Sequence, residues 1–213
     1  MQLTSVNVGQ ERPMPNVKAS GTTGIYKLPV EGSVEITHGG LAGDAICDLK
    51  HHGGADQAVY IYSTPDYAWW AGKLGHELAP GTFGENLTIT ELESAQVGIG
   101  DRLHIGAVIL EVTAPRMPCV TLATRMGDPA FAERFRAAER PGLYARVVRA
   151  GWVQAGDTVT RERLSGETVT VIELFRDFYK PDLTEATLRR HLAAPIAVRD
   201  RVEKERRLAE LLA

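Results

Sequence analysis

The sequence predicts a mainly β fold with helices. A strand-rich, barrel-type domain with flanking helices spans residues 1–163, and a small three-helix bundle follows over residues 164–213. Three observations carry this expectation. Short alternating or apolar runs recur up to residue 163, joined by Gly-Asp and similar turns, which is the pattern of a closed or folded-over barrel. The composition supplies 21 glycines and 11 prolines for such turns. Beyond residue 163 the apolar spacing becomes helical, with breaks at Pro181 and Pro195.

Taken in order, residues 3–8 alternate as an opening strand, and a polar loop follows around Pro13 and Pro15. Residues 33–37 alternate again and run into the glycine-dense stretch His38-Gly39-Gly40-Leu41-Ala42-Gly43-Asp44. That stretch has neither Walker nor Rossmann spacing, so it implies no nucleotide site. Residues 58–62 form an apolar strand, and Ser63-Thr64-Pro65-Asp66 opens a helix that should end near Gly75. Of the adjacent Trp69 and Trp70, at least one should be core, because neighbours cannot share one line of a helix. Residues 80–89 read as a glycine turn feeding a short strand, and residues 103–112 as a hairpin closing at Gly106. Helices are expected over 120–126 and 129–138, strands over 142–148 and near 158–161. The last three helices fall at 169–179, 184–192 and 196–212. A bundle that small needs the main domain's support.

Charge and cysteine usage narrow the function. A formal net charge of -3 argues against nucleic-acid binding driven by bulk charge. No apolar stretch reaches the length of a membrane span, and no secretory pattern opens the chain, so a cytoplasmic location and no membrane partner are expected. Two cysteines, Cys47 and Cys119, do not make a disulfide framework or an iron-sulfur site. The final helix mixes both signs of charge, as a solvated face does, with partner docking as the other reading.

The stretch with most chemistry is Val112-Thr113-Ala114-Pro115-Arg116-Met117-Pro118-Cys119. Two prolines stiffen the loop after a buried strand and place Arg116 and Cys119 on it. A thiolate is a nucleophile and a soft-metal ligand, and a guanidinium nearby favours it. The alternative is a small buried hydrophobe. Asp48-Leu49-Lys50-His51-His52-Gly53-Gly54-Ala55-Asp56 gathers donors suited to an anion or cofactor: the Gly53 and Gly54 amides, Lys50 and His52. A surface turn bonding its own backbone is the other reading. Glu85 and Asn86, after Gly84, stand at a strand start where side chains can face a ligand or satisfy the turn.

Gly40-Leu41-Ala42-Gly43-Asp44, residues 50–59, Phe83-Gly84-Glu85-Asn86-Leu87, Pro115-Arg116-Met117-Pro118-Cys119 and residues 151–157 together resemble the MOSC family, named for the C-terminal domain of molybdenum cofactor sulfurase. The match is nearest its bacterial stand-alone YiiM-like branch, where a three-helix extension follows. The resemblance implies a MOSC-type β-barrel that binds the molybdenum cofactor, with Cys119 as the metal's ligand. It further implies a reductase of N-hydroxylated compounds such as hydroxylaminopurines and amidoximes, fed by a separate, flavin-type reductase. On that reading Lys50 and Arg116 anchor the anionic cofactor, Gly53, Gly54, Gly84 and Glu85 adjoin it and Asn86 orients it. His52 or Asp56 donates the proton. Where relatives carry a basic residue two places after the cysteine, this chain has Thr121. Cys47 matches no family motif and reads as structural. A non-catalytic carrier of the cofactor, or of sulfur as a Cys119 persulfide, is the alternative function.

Overall fold

The computed structural model describes residues 1–14, 21–47 and 53–213. The first half of the chain builds β1 (Leu3–Gly9), β2 (Arg12–Pro13), β3 (Thr22–Thr23), β4 (Lys27–Pro29), β5 (Val34–Thr37), β6 (Gly40–Leu41), β7 (Val59–Ser63), α1 (Thr64–Leu74) and β8 (Leu87–Ile89). Then come β9 (Arg102–Ile105), β10 (Val108–Pro115), α2 (Val120–Arg125), α3 (Phe131–Ala138), β11 (Leu143–Arg149), β12 (Gly151–Val153) and β13 (Val159–Glu162). Helices α4 (Val171–Tyr179), α5 (Glu185–Ala193) and α6 (Val198–Leu212) end the chain.

Eight strands form one sheet in the order β13-β9-β10-β11-β7-β8-β1-β4. Every neighbouring pair is antiparallel except β7 and β8, whose connection passes through α1. The sheet curls until β1 meets β13 at the Gln2–Thr158 bridge. Backbone bonds from Leu3 N to Asp157 O (2.9 Å), Gly156 N to Leu3 O (2.7 Å) and Val159 N to Met1 O (2.9 Å) hold that seam. The barrel is therefore joined at one end of a seam and open along the rest, where β4 takes the edge. A second sheet, β12-β5-β6, lies beside it.

Strand β7 shows how the sequence sorts its two faces. Val59 and Ile61 enter an aliphatic core with Leu3, Leu103 and Leu110. Tyr60 and Tyr62 point the other way, into an aromatic layer with Trp70, Phe83, Phe131 and Phe135 beneath α1 to α3. A strand buried on both faces reads as an unbroken apolar run, and this one does. Ser63 then caps α1, accepting the Asp66 N–H at 3.2 Å, and Gly75 ends it in the left-handed region (φ 77°). Trp70 is core, whereas Trp69 stacks edge-on against it, half-exposed.

The C-terminal helices share the barrel's core. Val169, Val171, Leu174, Ala194 and Ile196 belong to the same aliphatic cluster as the sheet. Ile99 N to Val169 O and Val171 N to Val97 O, both 2.8 Å, stitch the linker onto the loop before β9. Among the described residues no helix is long and apolar enough to cross a membrane.

Candidate functional site

A cleft with about 660 Å³ of empty space, part of it open to solvent, lies where β3, β4, β7, β11 and the turn before β8 meet the loop after β10. Sheet pairing gathers its walls from distant segments. Cys119 stands at its rim, where extended backbone (φ −137°, ψ 168°) turns into α2. The Leu122 and Ala123 N–H groups both donate to the Cys119 carbonyl, at 3.0 and 3.2 Å, which fixes the backbone beneath the thiol.

Arg116 is only 4% exposed and lines the same cleft. One guanidinium nitrogen donates to the Phe83 carbonyl, and the group lies 4.8 Å over the Tyr60 ring. Burial opposes its charge, but Tyr60, Tyr144 and Cys119 outweigh that and hold its pKa up, so it stays a cation. Room for it comes from Gly84, in the left-handed region at φ +76°. A Cβ there would meet Ile25 Cγ1 at 2.8 Å and an Arg116 nitrogen at 3.4 Å.

The opposite wall carries a buried ion pair. Lys27 Nζ contacts Asp44 Oδ2, with side chains 9% and 4% exposed. Asp44 Oδ1 accepts the Gly9 N–H at 2.8 Å, and Asp44 Oδ2 also accepts from Asn86 Nδ2 at 2.8 Å. Burial and the nearby Arg116 charge push the Lys27 pKa down, and Asp44 pulls it partly back.

The residues singled out from the sequence divide. Cys119, Arg116, Asn86, Gly53 and Gly84 line the cleft together. Lys50 and His52 lie outside the described residues. Asn86 does not present free donors. Its amide nitrogen serves Asp44 and the Asn7 carbonyl (3.4 Å), and its oxygen accepts the Tyr60 N–H at 3.1 Å. It braces the wall rather than reading a ligand edge.

Glu85 is corrected: it does not line the cleft. Its Oε1 accepts from Tyr67 Oη and Gly81 N, both at 2.6 Å, and from Thr88 Oγ1 at 2.9 Å. Burial raises its pKa, and it organises the turn before β8. Asp56 is corrected as well. Oδ1 pairs with Arg146 at 3.0 Å, and Oδ2 accepts the N–H of Val198, the first residue of α6, at 2.6 Å. That carboxylate is committed to anchoring a helix and is not a free proton donor at the cleft. Gly54 is exposed outside the cleft, turning the chain (φ 79°) into the short helical turn Ala55–Gln57.

Sequence reasoning missed Lys27, Gln57, Tyr60, Tyr144 and Cys47, all of which line the cleft. Asp44 stands in the glycine-dense run, but no motif in the sequence marks Lys27. Cys47, read as structural, shares the cleft with Cys119. Burial raises its thiol pKa, against a hydrogen bond with Thr22.

Three buried polar atoms on the cleft residues have no hydrogen-bond partner among the described residues: Arg116 Nε, Thr121 Oγ1 and Gln57 Oε1. Leaving such groups unpaired costs about 1–3 kcal/mol each, so the wall is built for a ligand with donors and acceptors of its own. A soft thiol beside a permanent cation, with lysine and glycine near, suits an anionic cofactor carrying a thiophilic metal. The molybdenum cofactor fits these residues.

Comparison with known proteins follows the same lines. Residues 48–160 match the model of the MOSC domain. Protein YiiM of Escherichia coli (strain K12) is 31% identical over 154 residues, 70% of this chain and 67% of its own. A protein of Gibberella moniliformis (strain M3125 / FGSC 7600) named "Reductase" is 34% identical over 143 residues, 65% of this chain but 25% of its own length. The crystal structure of YiiM from Geobacillus stearothermophilus superposes with a TM-score of 0.80 at 23% identity, covering 97% of this chain and 98% of that one.

Proposed function

The chain belongs to the MOSC domain family, and from that premise we propose that it is a molybdenum-cofactor-dependent reductase of N-hydroxylated compounds, such as hydroxylaminopurines and amidoximes. The observation that carries the reading is the cleft that sets the Cys119 thiol with buried Arg116, whose Nε has no hydrogen-bond partner among the described residues. The name "Reductase" borne by the Gibberella relative supports it. When bound, the cofactor supplies the two-electron reduction of the N–O bond.

The chain's own residues do the rest. Cys119 offers the thiolate that holds the metal, on a backbone pinned by the first turn of α2. Arg116, charged at any working pH, pairs with the cofactor's anionic groups, and its stacking on Tyr60 keeps it aimed. Gly53 and Gly84 let the wall come close. Lys50 is proposed as a further anchor and His52 as a group near the substrate. Two cysteines are too few to ligate an iron-sulfur centre within this chain, and a separate, flavin-type reductase is proposed as its electron donor.

Protein made in a host that synthesises the cofactor tests this. Molybdenum bound to the wild type, with oxidation of reduced viologen driven by a hydroxylaminopurine, is the expected result. Cys119→Ser should hold no metal while keeping its circular dichroism, because a hydroxyl is a poor ligand for a thiophilic metal. Full metal in that variant would sink the ligand assignment. Metal bound without turnover would make the protein a carrier instead.

A further inference from the structure

We propose that Lys27 is the acid that delivers a proton to the departing oxygen, with Asp44 as its anchor. The inference rests on the reductase reading. The reaction balances as R–NHOH + 2 e⁻ + 2 H⁺ → R–NH₂ + H₂O: the N–O bond breaks, nitrogen is reduced and two molecules of a one-electron donor such as reduced viologen are each oxidised once. Hydroxide leaves poorly, so the oxygen needs a proton as the bond breaks.

The other described candidate acids in or near the cleft are spent or unsuited. Asp56 holds α6, and Glu85 faces the turn before β8. The Tyr60 hydroxyl donates to the Pro141 carbonyl at 2.9 Å. Burial makes Tyr144 and Cys47 hold their protons more tightly. Lys27 alone among these is a cation whose burial loosens its proton.

The charged and titratable groups facing Lys27 define its task. Asp44, from the loop after β6, pairs with it, and Arg116 and Glu85 act from the ends of the β10 and β8 segments. Cys47 lies within reach of its field. Two N–H donors, Gly9 N and Asn86 Nδ2, hold the Asp44 carboxyl in place beside Lys27 Nζ. After transfer the neutral amine takes a proton from solvent through the open mouth, and the second proton reaches nitrogen from water.

The test uses the cofactor-loaded full chain with viologen as reductant. Lys27→Met and Lys27→Arg should keep their molybdenum and KM but lose about 10²-fold or more in kcat, since arginine keeps the charge without a transferable proton. Asp44→Asn should move the high-pH fall of kcat to lower pH, because the carboxylate that holds the proton on Lys27 is gone. If Lys27→Met does not fold, the Lys27→Met/Asp44→Asn pair leaves no unpaired buried charge and replaces it. An independent readout is acetylation by acetic anhydride in cofactor-free protein, followed by peptide mass spectrometry. Lys27 should become reactive at lower pH than exposed Lys180. Wild-type kcat in Lys27→Met, loss of molybdenum in Lys27→Met with recovery in Lys27→Arg, or an ordinary lysine titration would each overturn the assignment. Absence of turnover by the wild type overturns the reductase reading and this assignment with it. Failure of the assignment alone looks different: the wild type turns over, and Lys27→Met does so as fast.

Discussion

Two thiols facing one cleft from positions 47 and 119 make a measurable pair. Alkylation by iodoacetamide reports the thiolate, and burial holds the Cys47 thiol above its ordinary pKa. Cys47 labelling in cofactor-free protein should therefore be slow at neutral pH and climb steeply into the alkaline range. Loading the cofactor should protect both cysteines, as peptide mass spectrometry would show; a Cys47 labelled equally fast with and without cofactor would mean that it stands clear of the ligand. At this scale Arg116 and Cys119 were legible, because prolines and a preceding apolar strand mark where they stand. Lys27 was not. Its partner Asp44 lies 17 residues on, across a strand crossing, and nothing in residues 25–30 distinguishes a buried lysine from a surface one. Glu85 misled for a related reason: a polar residue at a strand start can face either side, and here Tyr67, Gly81 and Thr88 claim it.

Elements meet the cleft through Asp56. Its carboxylate receives the first N–H of α6 and pairs with Arg146, which also donates to the Pro195 and Ile196 carbonyls at 3.1 and 3.3 Å. Its own carbonyl accepts from Thr113 Oγ1 at 2.6 Å, three residues before Arg116. Asp56→Ala should then destabilise the fold by about 1–2 kcal/mol, the usual scale for losing a helix cap and a partly exposed ion pair. A urea titration would measure it. The pH profile of kcat should keep its shape; a displaced profile would return Asp56 to the role of proton donor. Helix positions were legible from periodicity and caps: Ser63 with Pro65 and Gly75 bound α1, and Thr184 caps α5. What α6 docks against was not, because its partner is a carboxylate 142 residues away.

The molecule as a whole is expected to weaken in mild acid, and His191 is one cause. It is 1% exposed beneath α4 and α6, with Nε2 3.2 Å from Glu173 and Nδ1 3.8 Å from Asp177. Burial, with Lys204 and Arg190 behind it, outweighs Asp177 and Asp182 and lowers its pKa from 6.5 to about 4. The unfolded chain thus takes up a proton before the folded one does. Stability is intact above the unfolded value, and it is lost as pH falls from about 6.5 towards 4, by no more than about 3 kcal/mol. Thermal melts between pH 7 and 4.5 should fall less steeply for His191→Gln. Equal slopes would assign the acid sensitivity elsewhere. The barrel class and its helical appendage were legible from turn chemistry and the change of period at residue 163. That both share one core was not, since helical spacing shows which face is apolar but not what it covers.

The seam between β1 and residues 156–159 has a consequence for how the chain is made. Among the described residues, the backbone of β1 pairs with residues 27–30, 45, 86–89 and 156–157. On a ribosome it emerges ahead of all of these partners, and its last backbone bonds wait for some 150 more residues of synthesis. Closing so long a loop is slow compared with local pairing, so the order of birth and the order of assembly run in opposite directions. Until that closure the opening strand, with its inward Leu3 and Val6, is the segment a nascent chain most needs to keep from pairing with a neighbour.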